Sequence, residues 1–245
     1  MTRSWVDARL KGTAKMAGMN YRQDGAAASV SFSKTEPRAK SSPRFWDRTA
    51  ERYARTPVPD EAIYQSKLEI TREYLRPDMS VMEFGCGTGS TALAHAPYVR
   101  HIHAIDFSAK MIEIARCKAE AGGVANVTFG QSGIEEFDAP DASYDAVLGL
   151  SVIHLLEDRT AAIAKVHRLL KPGGVFISST ACIADMMALF KYIAPAGRAV
   201  GLLPFVDIFT KADLLADLGR AGFAIEQEWH PGRKQAVFIV ARKAG

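Results

Sequence analysis

The chain has 245 residues, 48% of them hydrophobic and 24% charged, enough apolar material for a full core, which excludes a fibrous or wholly disordered protein. The formal charge is +4, but residues 1–40 hold eight Lys and Arg against three Asp and Glu, leaving 23 against 24 beyond them; the body therefore offers no basic footprint for nucleic acid. Three cysteines (Cys86, Cys117 and Cys182) without CxxC spacing argue against a disulfide scaffold or a zinc site and suit a reducing cytoplasm, and no apolar run reaches the roughly 18 residues of a membrane span.

Residues 1–40 read as a disordered basic extension; in composition they are also similar to an organelle transit peptide, although they lack a sustained amphipathic period. The remainder, 41–245, reads as one α/β domain that opens with a helical cap over 44–75. Its first helix runs from Arg44 to Arg55 with Phe45, Trp46 and Tyr53 on or near one side, and its second from Asp60 to Leu75, where Pro77 stops it. Strand-like runs then alternate with helical stretches. Strands are predicted at Met79–Phe84, His101–Asp106, Asn126–Gly130, Tyr144–Leu150 and Val175–Thr180, and helices at Ser90–Ala96, Ser108–Ala121 and Asp158–Leu170. Such alternation predicts a parallel sheet covered on both faces.

Residues 184–209 interrupt the pattern with a Met- and aromatic-rich insertion, including Met186, Met187, Phe190, Tyr192 and Phe205, read as a substrate lid; oligomer contact and peripheral membrane contact use similar residues. Thr210 then caps a helix over Lys211–Ala221 that Gly222 closes. Two strands follow, Phe223–Trp229 and Gln235–Ala241, joined only by His230-Pro231-Gly232-Arg233-Lys234. A parallel pair needs a crossover of about a dozen residues or more, so the last strand is predicted to run antiparallel.

The most chemically informative stretch is Val81-Met82-Glu83-Phe84-Gly85-Cys86-Gly87-Thr88-Gly89, answered by Asp106 at the end of the next strand. Glycines let the backbone turn and a ligand approach where a Cβ would collide, and a carboxylate at the neighbouring strand end accepts ribose hydroxyls. The pattern predicts a nucleoside cofactor. A dinucleotide fingerprint G-x-G-x-x-G/A fits poorly, because its third position holds Ser90, and Glu83 favours a cationic ligand group over a pyrophosphate.

With Glu83-Phe84-Gly85-Cys86-Gly87-Thr88-Gly89, Asp106, Lys171-Pro172-Gly173-Gly174 and the closing hairpin, the chain resembles the class I S-adenosylmethionine-dependent methyltransferases over roughly Phe45 to Lys243. The resemblance implies a doubly wound, seven-stranded, mostly parallel sheet with an antiparallel last strand, and S-adenosyl-L-methionine as cofactor. It implies that Gly85, Gly87 and Gly89, with the adjoining Cys86, line the methionine portion, that Glu83 orients its amino group, and that Asp106 grips the ribose. Phe107 and Met111 would lie against adenine, with Ser132 or the Ile134 backbone N–H serving its amino group, since Gly133 stands where relatives often carry an acid. Tyr53, with Trp46 and Tyr64, would close over the cofactor, and the segment Leu150-Ser151-Val152-Ile153-His154 would pass beneath the sulfonium and face the substrate.

Each of these residues also has a packing explanation: Cys86 as a small buried side chain, Phe107, Met111, Trp46, Tyr53 and Tyr64 as core, Gly173 and Gly174 as a turn. His154 is the titratable residue at the expected sheet mouth and the candidate general base; its alternative is a packed histidine at a bend. His230 has a weaker claim, as part of a solvent-exposed turn. The function expected is methyl transfer to a small, partly apolar acceptor by in-line displacement. No metal is needed. A nicotinamide-dependent oxidoreductase and a non-catalytic adenosine-binding protein remain as alternatives, and the oligomeric state is open.

Overall fold

The computed structural model describes residues 43–186, 203–232 and 235–245, so the basic extension and most of the 184–209 insertion, Met187, Phe190 and Tyr192 among it, lie outside the described residues. In chain order the helices are α1 (Pro43–Arg55), α2 (Glu61–Glu73), α3 (Ser90–His95), α4 (Ala109–Gly122), α5 (Arg159–Leu169), α6 (Ile183–Met186) and α7 (Lys211–Arg220). The strands are β1 (Ser80–Phe84), β2 (His101–Asp106), β3 (Val127–Gln131), β4 (Tyr144–Leu150), β5 (Leu170–Thr180), β6 (Phe223–Trp229) and β7 (Val237–Lys243).

Helix starts follow from local chemistry, because a side-chain oxygen just before the first turn takes up an otherwise unpaired backbone N–H. Asp60 accepts from the Ile63 N–H at 3.0 Å, Ser108 from Met111 at 3.2 Å and Asp158 from Ala161 at 2.9 Å. Thr210 and Asp213 cap each other reciprocally at the start of α7.

The seven strands lie in the order β3-β2-β1-β4-β5-β7-β6. β1 to β5 are mutually parallel, and β7 runs antiparallel to both β5 and β6, as the short hairpin connection requires. Alternation along the strands splits the core in two. Met82, Phe84, Val147 and Phe176 pack with Ile163 and Leu214 of α5 and α7, while Val81, Ile102, Leu148 and Ile177 pack with Ala92, Ile112 and Ala115 of α3 and α4.

One boundary differs from expectation. β5 begins at Leu170, not Val175: Tyr144 pairs with Leu170 and Ala146 with Val175, so Lys171-Pro172-Gly173-Gly174 is an outward bulge within the strand rather than a stop before it. Gly173 has φ +74, and a Cβ on Gly174 would come within 2.9 Å of the Lys171 carbonyl oxygen and 3.0 Å of that of Asp145. Lys171 Nζ anchors the bulge on Asp145 Oδ1 at 2.7 Å.

Strand order reverses between β1 and β4, whose neighbours β2 and β5 lie on opposite sides, and an open parallel sheet forms its ligand crevice at the carboxyl ends of such strands. Among the described residues no helix is long and apolar enough to cross a membrane.

Candidate active site

The turn after β1 is built to bring two carboxyl groups near one stretch of backbone. Gly85, Gly87 and Gly89 all have positive φ, +63, +53 and +74, a region that costs an ordinary L-residue about 1–2 kcal/mol. Asp106, at the end of β2, accepts the Gly87 N–H on Oδ2 and the Ser108 N–H on Oδ1, both at 2.9 Å. Its carboxyl is therefore held against the loop, with each oxygen keeping capacity for a further donor. Burial raises its pKa while the two backbone N–H groups oppose that rise.

Glu83 precedes the first glycine on β1 and is only 2% exposed. Its Oε2 has no hydrogen-bond partner. Burial, and then the nearby charge of Asp106, push its carboxyl up to about 8. A buried, unpartnered acceptor of this kind is costly, and an ammonium group is the chemistry that would relieve it.

Two adjoining lobes open from this loop, of about 820 Å³ and 810 Å³, and Trp46, Tyr53, Gly85, Gly87 and Ser151 line both. The first lobe runs from the ends of β2 and β3 to the segments after β4 and β5, and its walls include Asp106, Phe107, Met111, Ile134, His154 and Ile183. The second lies under α1 and α2 and is walled by Glu83, Cys86, Thr88, Tyr64, Lys67 and Ser179. Tyr53 stays 54% exposed at the lip, with Trp46 edge-on to it at 6.4 Å.

The three glycines differ in what they face. A Cβ on Gly87 would meet only Tyr53 Cε1, at 3.8 Å, and would project into the crevice. One on Gly85 would strike Val152 at 2.3 Å, so this glycine serves the close approach of the segment after β4. Gly89 lines neither lobe, and a Cβ there would lie 2.8 Å from the Phe129 ring and 2.9 Å from Ala115, so its smallness serves packing at the start of α3.

Cys86 lines the second lobe, but burial raises its thiol pKa strongly, with Glu83 and Asp106 adding to the effect, so the sulfur stays a protonated, non-nucleophilic wall atom. Ser151 is a non-glycine residue at φ +60 and donates its backbone N–H to the Ser179 carbonyl at 2.7 Å, tying the ends of β4 and β5 together. His154 sits in a 3-10 turn, Ile153–Leu155, with Nδ1 buried and unpartnered, and burial pushes its pKa down to about 4. Its imidazole is thus neutral at ordinary pH. His230 lies in the β6–β7 connection and lines neither lobe.

Sequence reasoning missed two contacts that frame the crevice. Asp47 on α1 accepts from Ser108 Oγ at 2.6 Å and the Lys110 N–H at 3.2 Å, which docks the helical cap onto the start of α4. Lys67 on α2 donates to Ser179 Oγ on β5 at 2.8 Å across 112 residues of sequence. No motif announces either contact, since a single Asp or Lys on an amphipathic helix is usually a solvated face.

Residues 81–174 match the family described as a methyltransferase domain. A ubiquinone biosynthesis O-methyltransferase from Xylella fastidiosa is 30% identical over 167 residues, which span 64% of this chain and 67% of that protein. The chain belongs to the class I S-adenosylmethionine-dependent methyltransferases. An uncharacterized methyltransferase of Bacillus subtilis, YcgJ, is 36% identical over 102 residues, 42% of this chain and 40% of that relative's length. The crystal structure of YcgJ superposes with a TM-score of 0.62 at 21% identity, covering 74% of this chain and 99% of that one, and shares the fold. The protein is therefore a methyltransferase that uses S-adenosylmethionine chemistry, and neither the nicotinamide-dependent nor the non-catalytic alternative is supported.

Proposed function

We propose that this methyltransferase binds S-adenosyl-L-methionine across the two lobes and transfers its methyl group to an oxygen of a small, partly apolar acceptor. The observation that carries the assignment is the pairing of an unpartnered, buried Glu83 Oε2 with Asp106 on either side of the open Gly87 turn. Asp106 would hold the ribose hydroxyls, Glu83 the methionyl ammonium, and the backbone at Gly85 and Gly87 the chain between them. Phe107 and Met111 would sandwich adenine, with Ser132 and the Ile134 N–H on its edge.

When bound, the cofactor supplies a methyl group already activated on a sulfonium, so no covalent nucleophile or metal is required of the protein. What remains is alignment and exclusion of water, which together supply roughly 7–11 kcal/mol in favourable cases. Tyr53 and Trp46 at the lip, and Pro204 and Val206 from the segment before α7, would close the crevice. The neutral His154 imidazole, which lines the first lobe, would take the proton from an acceptor hydroxyl. The name of the Xylella relative, an O-methyltransferase, supports oxygen as the accepting atom. The three free cysteines support a reducing, cytoplasmic location.

Calorimetric titration of the pure protein with S-adenosylmethionine and with NADH, followed by a mass-spectrometric screen for methylated hydroxy compounds, tests this. Binding of the sulfonium compound with turnover of a hydroxylated acceptor is expected. Tight NADH binding with none for S-adenosylmethionine would reverse the assignment.

A further inference from the structure

The second lobe holds a cation that the cofactor reading leaves unused. Lys67 reaches from α2 to Ser179 Oγ at 2.8 Å, and among the described residues this hydroxyl is its polar contact; no carboxylate of theirs is within ion-pair distance. Glu83 shares the lobe but forms no ion pair with Lys67, and its raised pKa of about 8 keeps it largely protonated near neutral pH. The lobe that Lys67 lines carries apolar and aromatic side chains, Phe45, Trp46, Ile63 and Leu68, beside polar ones such as Arg52, Asp60 and Thr91. Burial lowers the Lys67 pKa, as expected for an ammonium that has given up water without gaining a counter-charge.

Position decides what such a cation would serve. The ribose and adenine residues, Asp106, Ser132 and Ile134, lie on the β2 and β3 side of the switch point, whereas Ser179 is on β5, on the other side. Ser179 pairs with Leu150, and its carbonyl accepts the Ser151 N–H, which puts the Lys67–Ser179 pair beside the end of β4 where an acceptor would enter. The Ser179 hydroxyl, accepting from Lys67, has its own proton left to donate, so two donors converge on one spot.

We propose that Lys67 and Ser179 form an oxyanion subsite in the second lobe, beside the end of β4, and that the natural acceptor is an apolar or aromatic molecule carrying a carboxylate, or a comparable oxyanion, remote from the oxygen that is methylated. This rests on the methyltransferase reading of the crevice. A desolvated ammonium binds an oxyanion through a charge-assisted hydrogen bond and discriminates against a neutral isostere, because the neutral group leaves the charge unpaired.

The test uses full-length protein loaded with S-adenosylhomocysteine and titrated calorimetrically with 4-hydroxybenzoate and 4-hydroxycinnamate, each against its methyl ester and its amide. The acids are expected to bind more tightly than their neutral counterparts by about tenfold or more. Lys67→Met and Lys67→Gln should both erase that preference, Lys67→Arg should keep most of it, and Ser179→Ala should reduce it. S-adenosylhomocysteine affinity should be the same in all of them. Esters binding as well as acids, no acid binding at millimolar concentration, or a preference that survives Lys67→Met overturns the proposal. So does a loss of S-adenosylhomocysteine affinity in both neutral variants, which would assign Lys67 to the cofactor's own carboxylate. Wild-type protein that fails to bind S-adenosylhomocysteine at all refutes the underlying reading instead.

Discussion

Replacing Glu83 with Gln separates the energetic burden of this side chain from its use. The carboxyl is 2% exposed and is pushed by burial, and by Asp106, from 4.5 up to about 8. Because its folded pKa exceeds its unfolded one, the folded state holds the proton more tightly. The stability Glu83 contributes is fully present below about pH 4.5 and is lost as pH rises toward about pH 8. At about 1.4 kcal/mol per unit the total is roughly 5 kcal/mol, of which about 3 kcal/mol has gone by about pH 7. Gln does not titrate, so urea unfolding measured over this range should show wild type losing stability relative to Glu83→Gln with that slope. The amide's own unmet N–H groups shift the variant's curve by a constant and leave the slope untouched. For the cofactor the sign is opposite. An ammonium ligand requires ionised Glu83, so binding at about pH 7 should release close to one proton, detectable in buffers of different ionisation heat, and affinity should rise about tenfold per unit up to about pH 8. Parallel stability curves for wild type and variant, together with binding that releases no proton, would refute the assignment of Glu83.

Four further substitutions probe the remainder of the site and its frame. Gly87→Ala should fold with a loss of about 1–2 kcal/mol from its positive φ yet fail to bind S-adenosylmethionine, whereas Gly85→Ala should lose about 2–4 kcal/mol by collision with Val152; thermal melts giving the reverse order would contradict the assigned orientations. His154→Gln should lower kcat/KM by about 10²–10⁴ without weakening cofactor binding. Because the wild-type imidazole loses its base function only as pH falls through about 4, this group should put no acidic limb near neutrality into the pH profile; unchanged turnover in the variant sinks the base role. Arg159 bridges Asp207 at 2.5 Å and the 1% exposed Asp217 at 2.6 Å, and lies 4.4 Å over Phe209. Arg159→Met should cost about 1–3 kcal/mol in chemical denaturation by removing one of the two guanidinium groups on buried Asp217, Arg220 remaining on the other oxygen, and a change under about 0.5 kcal/mol would show the pair to be dispensable.

Local signals carried most of the architecture and half of the site. The Ser108, Asp158 and Thr210 caps, the alternation within strands and the brevity of the link between β6 and β7 are short-range features, so element order and the reversed last strand were legible from residues alone. The glycine triplet and Asp106 were legible for a similar reason: consecutive parallel strands set their separation. The bulge at Lys171-Pro172-Gly173-Gly174 was not, because whether a Pro-Gly-Gly run ends a strand or loops out of it depends on Tyr144 waiting to pair with Leu170.

Side-chain environments were decided elsewhere. Sequence could say that Glu83 stands two residues before a turn; only the packed sheet removed its water and left Oε2 without a donor. Spacing treated Gly85, Gly87 and Gly89 alike, and the three acquired different roles from their neighbours: Val152 under the first, the open crevice by the second, Phe129 and Ala115 against the third. Lys67 and Ser179, 112 residues apart, met only because α2 lies across the carboxyl end of β5. Backbone conformation responds to neighbours in the chain, while desolvation and charge pairing respond to neighbours in space, and methyl-transfer chemistry depends on the second kind.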